Sequence, residues 1–127
     1  DPRYVYSQVP AVVGRERGII DLLAATRDGR LVVIELKASP DPNLPLQALD
    51  YWMRVKWHLE RGEFRRLGYF AGLELRPDPP QLWLVAPVFD FHSSTDIVLR
   101  YLSPEVPLRR LGLNQTWRQS IQVVDRR

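Results

Sequence analysis

Asp21, Glu35 and Lys37 are the residues of this sequence whose types and spacing best suit chemistry at a bound metal ion. Two carboxylates within reach of one another are hard oxygen ligands of the kind that Mg²⁺ binds. A lysine two positions from one of them adds a compact cation that can orient water or stabilise developing negative charge. The three residues therefore predict a divalent-cation site with hydrolytic chemistry, provided that the fold brings the two acids together.

The two acids lie in neighbouring apolar segments that predict a β-hairpin. Segments 19–26 (IIDLLAAT) and 31–37 (LVVIELK) are almost continuously apolar, and the residues between them include Asp28-Gly29, a strong turn signal. Because both faces of these strands are apolar, we expect other elements to cover both.

The loop length decides whether Asp21 meets Glu35. A two-residue loop of Asp28-Gly29 would turn Asp21 away from Glu35, whereas a three-residue loop beginning at Arg27 places the acids directly opposite one another. We expect the longer loop, a type I turn followed by a left-handed residue, because Gly29 suits that last position. Opposed Cβ atoms lie roughly 5 Å apart, which allows two carboxylates to share one cation. The alternative is a strand-end ion pair between Asp21 and Lys37, with Glu35 solvated.

The rest of the chain predicts one helix on each side of a further strand. A helix is expected over 44–61, with Asn43 as its cap and Pro45 in its first turn. Helical spacing predicts that it buries Leu46, Leu49, Met53 and Trp57. The other predicted elements are strands at 8–13, 81–87, 107–113 and 118–124, a turn at 14–18, and a helix at 93–102 opened by a capping box of Ser93 and Asp96.

This order of elements predicts an α/β protein with a mixed sheet flanked by helices, in a single domain spanning 1–127. Hydrophobic residues make up 45% of the 127 residues and charged residues 26%, as in ordinary soluble proteins. The sequence has no cysteine, so any metal must be held by oxygen or imidazole ligands. No apolar run is long enough to span a bilayer and no signal peptide is seen, so we expect a cytoplasmic protein without a membrane partner.

The net charge of +3 is compatible with a polyanionic partner, although arginine-rich composition also has other causes. Lys37 and Lys56 are the only lysines among 18 basic residues, which suggests that Lys37 has a role that an arginine would not fill. The pairs Arg65-Arg66 and Arg109-Arg110 are read as solvated loop charges, with phosphate contact as the alternative. His58 and His92 lack metal-ligand spacing, and the four tryptophans are expected in the core.

The run GIIDLLAATRDGRLVVIELKA, residues 18–38, resembles the motif region of the PD-(D/E)XK nucleases, in which an aspartate on one strand is followed by Glu-x-Lys on the next. The resemblance implies a restriction-endonuclease-like core. It also implies that Asp21, Glu35 and the main-chain carbonyl of Leu36 bind Mg²⁺ or Mn²⁺, and that Lys37 serves the attacking water. The implied activity is a metal-dependent deoxyribonuclease, with DNA as its partner.

A second motif, Gln47-Ala-Leu-Asp-Tyr51, is similar to the Gln-x-x-x-Tyr motif of the RecB-like branch of that family. Together with Arg54 and His58 it falls on one polar stripe of the predicted helix. We expect Gln47, Tyr51 and Arg54 to face nucleic acid. The alternative is an ordinary solvated helix face.

The sequence departs from the family pattern at its start. Family members usually begin with a helix that often carries another glutamate near the metal, and residues 1–7 are too short to supply it. The helix is expected upstream or in a larger protein, or the site is incomplete. Glu16 is a candidate substitute, although a turn ion pair with Arg15 or Arg17 is the simpler reading. The alternative function is therefore an inactive nuclease-like domain that binds nucleic acid or protein, and the further expected partners are a second copy or other domains.

Overall fold

A computed structural model of the chain describes residues 2–13, 16–37, 42–87, 106–114 and 123–126. Over these ranges the protein is α/β, as the sequence predicts, with a six-stranded mixed sheet whose strand order follows chain order. A short 3-10 helix, Pro2–Tyr4, precedes the sheet. The strands are β1 (Val5–Val13), β2 (Glu16–Ala25), β3 (Leu31–Leu36), β4 (Gln81–Pro87), β5 (Leu108–Leu113) and β6 (Val123–Arg126), and the helices are α1 (Leu44–Glu60) and α2 (Glu63–Arg66).

The turn between β2 and β3 has the predicted three-residue loop. The N–H of Gly29 donates to the carbonyl of Thr26 at 3.0 Å, and the N–H of Thr26 donates to the carbonyl of Arg30 at 2.8 Å. Gly29 has a φ of 92°, which closes the loop in the left-handed region. Leu23 accordingly faces Val33. The predicted register of the hairpin is confirmed.

Helix α1 makes the crossover that the mixed sheet requires. Strands β3 and β4 are parallel, as are β4 and β5, whereas β1, β2 and β3 are antiparallel in succession. A parallel pair needs a return connection, and α1 supplies it by running back over β3 and β4. The N-terminal half of α1 therefore lies toward the carboxyl ends of the parallel strands, the edge at which open α/β sheets bind ligands.

The buried face of α1 differs from the predicted one. Leu46, Met53 and Trp57 are exposed by 57%, 53% and 37%, so the prediction that they form the core face was wrong. The fully buried apolar positions are instead spaced from Leu44 to Val55 along the neighbouring stripe of the helix. This stripe is the buried one because the small Ala48 lets the helix approach the sheet and the large Trp52 fills the space beside it. Its buried members are Leu44, Pro45, Ala48, Tyr51, Trp52, Arg54 and Val55.

The strand boundaries change two other predictions. Strand β1 starts at Val5, three residues before the predicted start, and carries Pro10 on the edge of the sheet, where a missing N–H is tolerated. Strand β2 starts at Glu16, so the predicted turn at 14–18 is wrong for its last three residues. The helix predicted at 93–102, His92 and Trp117 lie outside the described residues, as does most of the strand predicted at 118–124.

The core lies between α1 and one face of the sheet. Leu31, Val33 and Glu35 alternate along β3 and are all buried on this face, where Val33 and Glu35 pair with Leu82 and Leu84 of β4. Among the described helices, none is long and apolar enough to cross a membrane. Glu35 is thus a carboxyl group on the core side of a central strand.

Candidate metal centre

Asp21 and Glu35 meet where β2 and β3 separate. The ladder between these strands runs from Ala25 and Leu31 to Leu22 and Ile34. At the next position side chains replace backbone carbonyls as acceptors. The N–H of Asp21 donates to Oε1 of Glu35 at 3.4 Å, and the N–H of Leu36 donates to Oδ2 of Asp21 at 2.9 Å. The backbone thereby fixes both acids in the fork between the two strands.

The environment of Glu35 disfavours its charged form. The side chain is 2% exposed. Burial, the charge of Asp21 and a hydrogen bond with its carboxyl group together raise the pKa of Glu35 to about 8, with burial as the largest cause. The N–H of Asp21 and the charge of Lys37 act in the opposite direction but do not offset the rise. At neutral pH and without a cation, Glu35 is therefore predominantly protonated.

Two carboxyl groups held together in this way form a suitable donor set for a divalent cation. Once Glu35 ionises, two like charges face each other and destabilise the fold unless a cation neutralises them. Mg²⁺ or Mn²⁺ would neutralise them, because both ions accept carboxylate and carbonyl oxygens. The residues that would hold the ion are Asp21, Glu35 and the main-chain carbonyl of Leu36. Leu36 is 43% exposed, and its side chain lies on the face of β3 opposite the buried Glu35.

Lys37 follows directly and is partly exposed. Its N–H donates to the carbonyl of Val85 at 3.0 Å, which anchors the end of β3 to β4. Its ammonium charge acts on Glu35, as the pKa of that residue shows. The structure therefore brings together the acid pair and the lysine that the sequence singled out.

Of the three α1 residues expected to face nucleic acid, one is exposed and two are buried. Gln47 is exposed, and its Nε2 donates to the hydroxyl of Tyr51 at 3.2 Å. Tyr51 and Arg54 are 8% and 7% exposed, so the alternative of an ordinary solvated helix face does not describe these two residues. Asp50 pairs with Arg54 at 2.9 Å, and the guanidinium lies 5.9 Å from the Tyr51 ring centroid. The stripe is an internal network with one exposed end.

The rest of this helix pairs locally. His58, predicted as a structural residue, lies 2.5 Å from a carboxylate oxygen of Glu63 and links α1 to α2. The Nε1 of Trp52 donates to the carbonyl of Pro80 at 2.6 Å, in the loop that leads into β4. Arg65 and Arg66 of α2 are exposed, as predicted for solvated charges. These contacts attach α1 to its neighbours and leave the acid pair to β2 and β3.

A third acidic ligand is the part of the site that the described residues do not supply. Within the described ranges, no group of three or more His, Asp or Glu residues is placed to hold a metal ion. The backbone of Glu16, the candidate substitute acid, lies at the first position of β2 opposite Val13. The described donors are therefore the two carboxyl groups and the neighbouring carbonyl.

Arg110 is a residue on the site face whose burial the sequence reasoning missed. It is 7% exposed and belongs to β5, so its reading as a solvated loop charge was wrong. It pairs with Leu84, which in turn pairs with Glu35, so the three residues form one row across the sheet. Arg110 thus lies two strands, or about 10 Å, from the glutamate. Period-two alternation between Leu108 and Gly112 was the signal that places its side chain inward.

No family model, no curated protein and no solved structure matches this chain.

Proposed function

We propose that this protein is a metal-dependent nuclease that hydrolyses DNA phosphodiester bonds, with a restriction-endonuclease-like core. The observation that carries the proposal is the acid pair in the fork of β2 and β3. Asp21 and Glu35 share hydrogen bonds there, and the glutamate is 2% exposed with a pKa raised to about 8. A purely structural role does not explain why two acids are held together on a buried face. The motif resemblance and the mixed sheet support the same class of enzyme.

Each residue has a definite task in this proposal. Asp21 and Glu35 bind Mg²⁺ or Mn²⁺ with the carbonyl of Leu36. When bound, the cation supplies Lewis-acid stabilisation of the negative charge on the scissile phosphate and lowers the pKa of water. Lys37 orients the attacking water and stabilises negative charge near it. The water oxygen gives up a proton to solvent as it forms a bond to phosphorus. The bond to the leaving sugar oxygen breaks, and that oxygen takes up a proton from solvent.

The charge of the protein favours a polyanionic substrate, since the chain carries a net +3. On α1, Gln47 is the member of the predicted binding set that reaches solvent and so is able to contact a phosphate. Tyr51 and Arg54 act behind it. Tyr51 accepts the hydrogen bond from Gln47, and the guanidinium of Arg54, paired with Asp50, lies 5.9 Å from the centroid of the tyrosine ring.

The decisive experiment incubates the protein with single-stranded and double-stranded DNA in Mg²⁺ or Mn²⁺, beside Glu35→Ala and Lys37→Ala. We expect cleavage by the unsubstituted protein and a loss of about 10²-fold to 10³-fold in each variant. Lys56→Ala is the matched control, because this second lysine lies on α1 and pairs with Glu60. Equal cleavage by all four proteins would show that Glu35 and Lys37 take no part in the reaction.

A second candidate function is a catalytically inactive domain of the same fold that binds nucleic acid or protein. It is favoured by the absence of a third acidic ligand among the described residues. Binding of DNA without cleavage by any of the four proteins, in either metal, supports this candidate over the enzyme.

A further inference from the structure

Gln8 has a backbone conformation that its residue type rarely adopts. Its φ is 53°, and Phe70 is the other described residue besides glycine with a positive φ. A side chain with a Cβ is strained in this left-handed region, and such strain persists only where the surrounding structure imposes it. The strained residue lies inside β1, a strand of nine residues.

The position of Gln8 connects this strain to the acid pair. Ser7 pairs with Leu22, and Val9 pairs with Ile20. Gln8 therefore stands opposite Asp21, the one residue between those partners. The strained residue of β1 and the metal-ligating residue of β2 are cross-strand neighbours.

Both strands lose their side-chain alternation at this point. Tyr6 packs its ring against Phe70 with centroids 5.1 Å apart, while Val9, three residues later, is 5% exposed in the same core. In β2, Ile20 and Leu23 are likewise both buried in that core. Residues three apart in a regular strand face opposite sides of the sheet. A local twist at Gln8 and Asp21 has therefore turned both strands together.

We propose that the left-handed conformation of Gln8 is a positioning device for Asp21. By breaking the regular pleat opposite Asp21, it turns the aspartate out of the ladder and toward β3, where Oδ2 accepts the N–H of Leu36. Gln8 acts through its backbone, not through its exposed carboxamide. The consequence for cation binding rests on the proposed function, whereas the consequence for the Asp21–Leu36 hydrogen bond does not.

The test is a substitution series ordered by tolerance of the left-handed region: Gln8→Gly, Gln8→Asn, Gln8→Ala and Gln8→Val. Glycine and asparagine adopt this conformation readily, alanine less so, and the β-branched valine least. Ser7→Val and Ser7→Gly are matched controls at the neighbouring exposed position, which pairs regularly with Leu22. Two quantities are measured: the hydrogen-exchange rate of the Leu36 amide, and the affinity for Mn²⁺ by titration calorimetry.

We expect the glycine and asparagine variants to keep both quantities within about threefold of the unsubstituted protein. In Gln8→Val the Leu36 amide should exchange about tenfold faster or more. The affinity for Mn²⁺ should fall about 10-fold to 100-fold, as when a residue that orients a metal ligand is lost. Gln8→Ala should lie between these limits, and it decides the question if the valine variant does not fold. Ser7→Val should change neither quantity.

Three results separate this inference from the proposed function. Unchanged Leu36 exchange in both the alanine and the valine variants overturns the positioning role. Loss of Mn²⁺ affinity in Gln8→Gly with Leu36 protection retained also overturns it, because the side chain would then act directly. If the unsubstituted protein binds no Mn²⁺, the proposed function fails, and the order of Leu36 exchange rates across the series still decides the inference.

Discussion

Asp21 accepts the backbone N–H of Leu36 through its side chain, so the aspartate occupies a place in the sheet that a strand carbonyl would otherwise fill. The hydrogen bond ties the acid to the strand that carries Glu35. The site is therefore organised by the backbone before any cation arrives. Preorganisation of this kind avoids the cost of bringing the ligands together on binding, and here it places two acids side by side in the metal-free protein.

The metal-free protein should become less stable as pH rises toward 9. The folded-state pKa of Glu35 is about 8, above an unfolded value of about 4.3. A raised pKa means that the folded state holds the proton more tightly, so this stabilisation is complete below the unfolded pKa and is lost as pH rises through 8. The slope is at most about 1.4 kcal/mol per pH unit. Melting temperatures in EDTA between pH 5 and pH 9 measure it.

The control for this pH dependence is Glu35→Gln, which copies the protonated carboxyl group and carries no titrating proton. Its melting temperature should vary less over the same interval and should exceed that of the unsubstituted protein at pH 9. Glu74→Gln alters an exposed glutamate and should retain the unsubstituted profile. Identical profiles for all three proteins contradict the buried, protonated state of Glu35.

Cation binding at neutral pH should release about one proton, because Glu35 must ionise to become a ligand. Titration calorimetry with Mn²⁺ at pH 7, in two buffers of different ionisation enthalpy, measures the number of protons released. The apparent affinity should rise between pH 6 and pH 8.5 as the proton becomes easier to remove. Glu35→Gln should bind Mn²⁺ weakly and release none. Binding without proton release would falsify the assignment of Glu35 as the protonated ligand.

The hairpin was predictable because two local rules acted together. The loop length with Gly29 fixed the register, and the register placed Asp21 beside Glu35. Both rules concern residues near one another in the chain. The left-handed Gln8 was not predictable, because glutamine has no local preference for a positive φ.

The face of α1 was mispredicted for a different reason. Two stripes of the helix have apolar spacing, and periodicity alone does not rank them. The structure buries the one with Ala48 and Trp52, whose indole N–H finds the carbonyl of Pro80, and it leaves Met53 exposed. The burial of Arg54 was not predicted from the sequence, because an arginine paired with an aspartate one turn earlier, Asp50, also fits an exposed helix face.

The observed orientation of α1 predicts opposite outcomes for two neighbouring substitutions. Val55 is 1% exposed, so Val55→Ala should lower the free energy of unfolding by about 2 kcal/mol through the cavity that it leaves. Met53 is 53% exposed, and Met53→Ala should change it by no more than about 0.5 kcal/mol. Denaturant unfolding of both variants provides the comparison. A larger loss of unfolding free energy in Met53→Ala than in Val55→Ala would show that the stripe predicted from the sequence is the buried one.

The turn that sets the register should tolerate no side chain at Gly29. A Cβ built there would lie 2.0 Å from the carbonyl oxygen of Glu74, in addition to the strain of a φ of 92°. That part of the chain is tied to the turn, because the N–H of Arg76 donates to the carbonyl of Gly29 at 2.9 Å and its guanidinium pairs with Asp28 at 2.7 Å. Gly29→Ala should therefore cost about 2 kcal/mol or more in the free energy of unfolding.

Gly68→Ala separates the contact at Gly29 from the backbone strain. Gly68 has a similar φ of 83°, but a Cβ there would meet nothing within 4 Å, so its substitution should cost only about 1 kcal/mol. The rate of DNA cleavage is then measured for each variant and corrected for the fraction of protein that is folded. A loss of this rate in Gly29→Ala but not in Gly68→Ala would show that the three-residue turn controls the acid pair through the strand register. Equal stability losses in the two variants would instead show that the loop around Glu74 yields to the added methyl group.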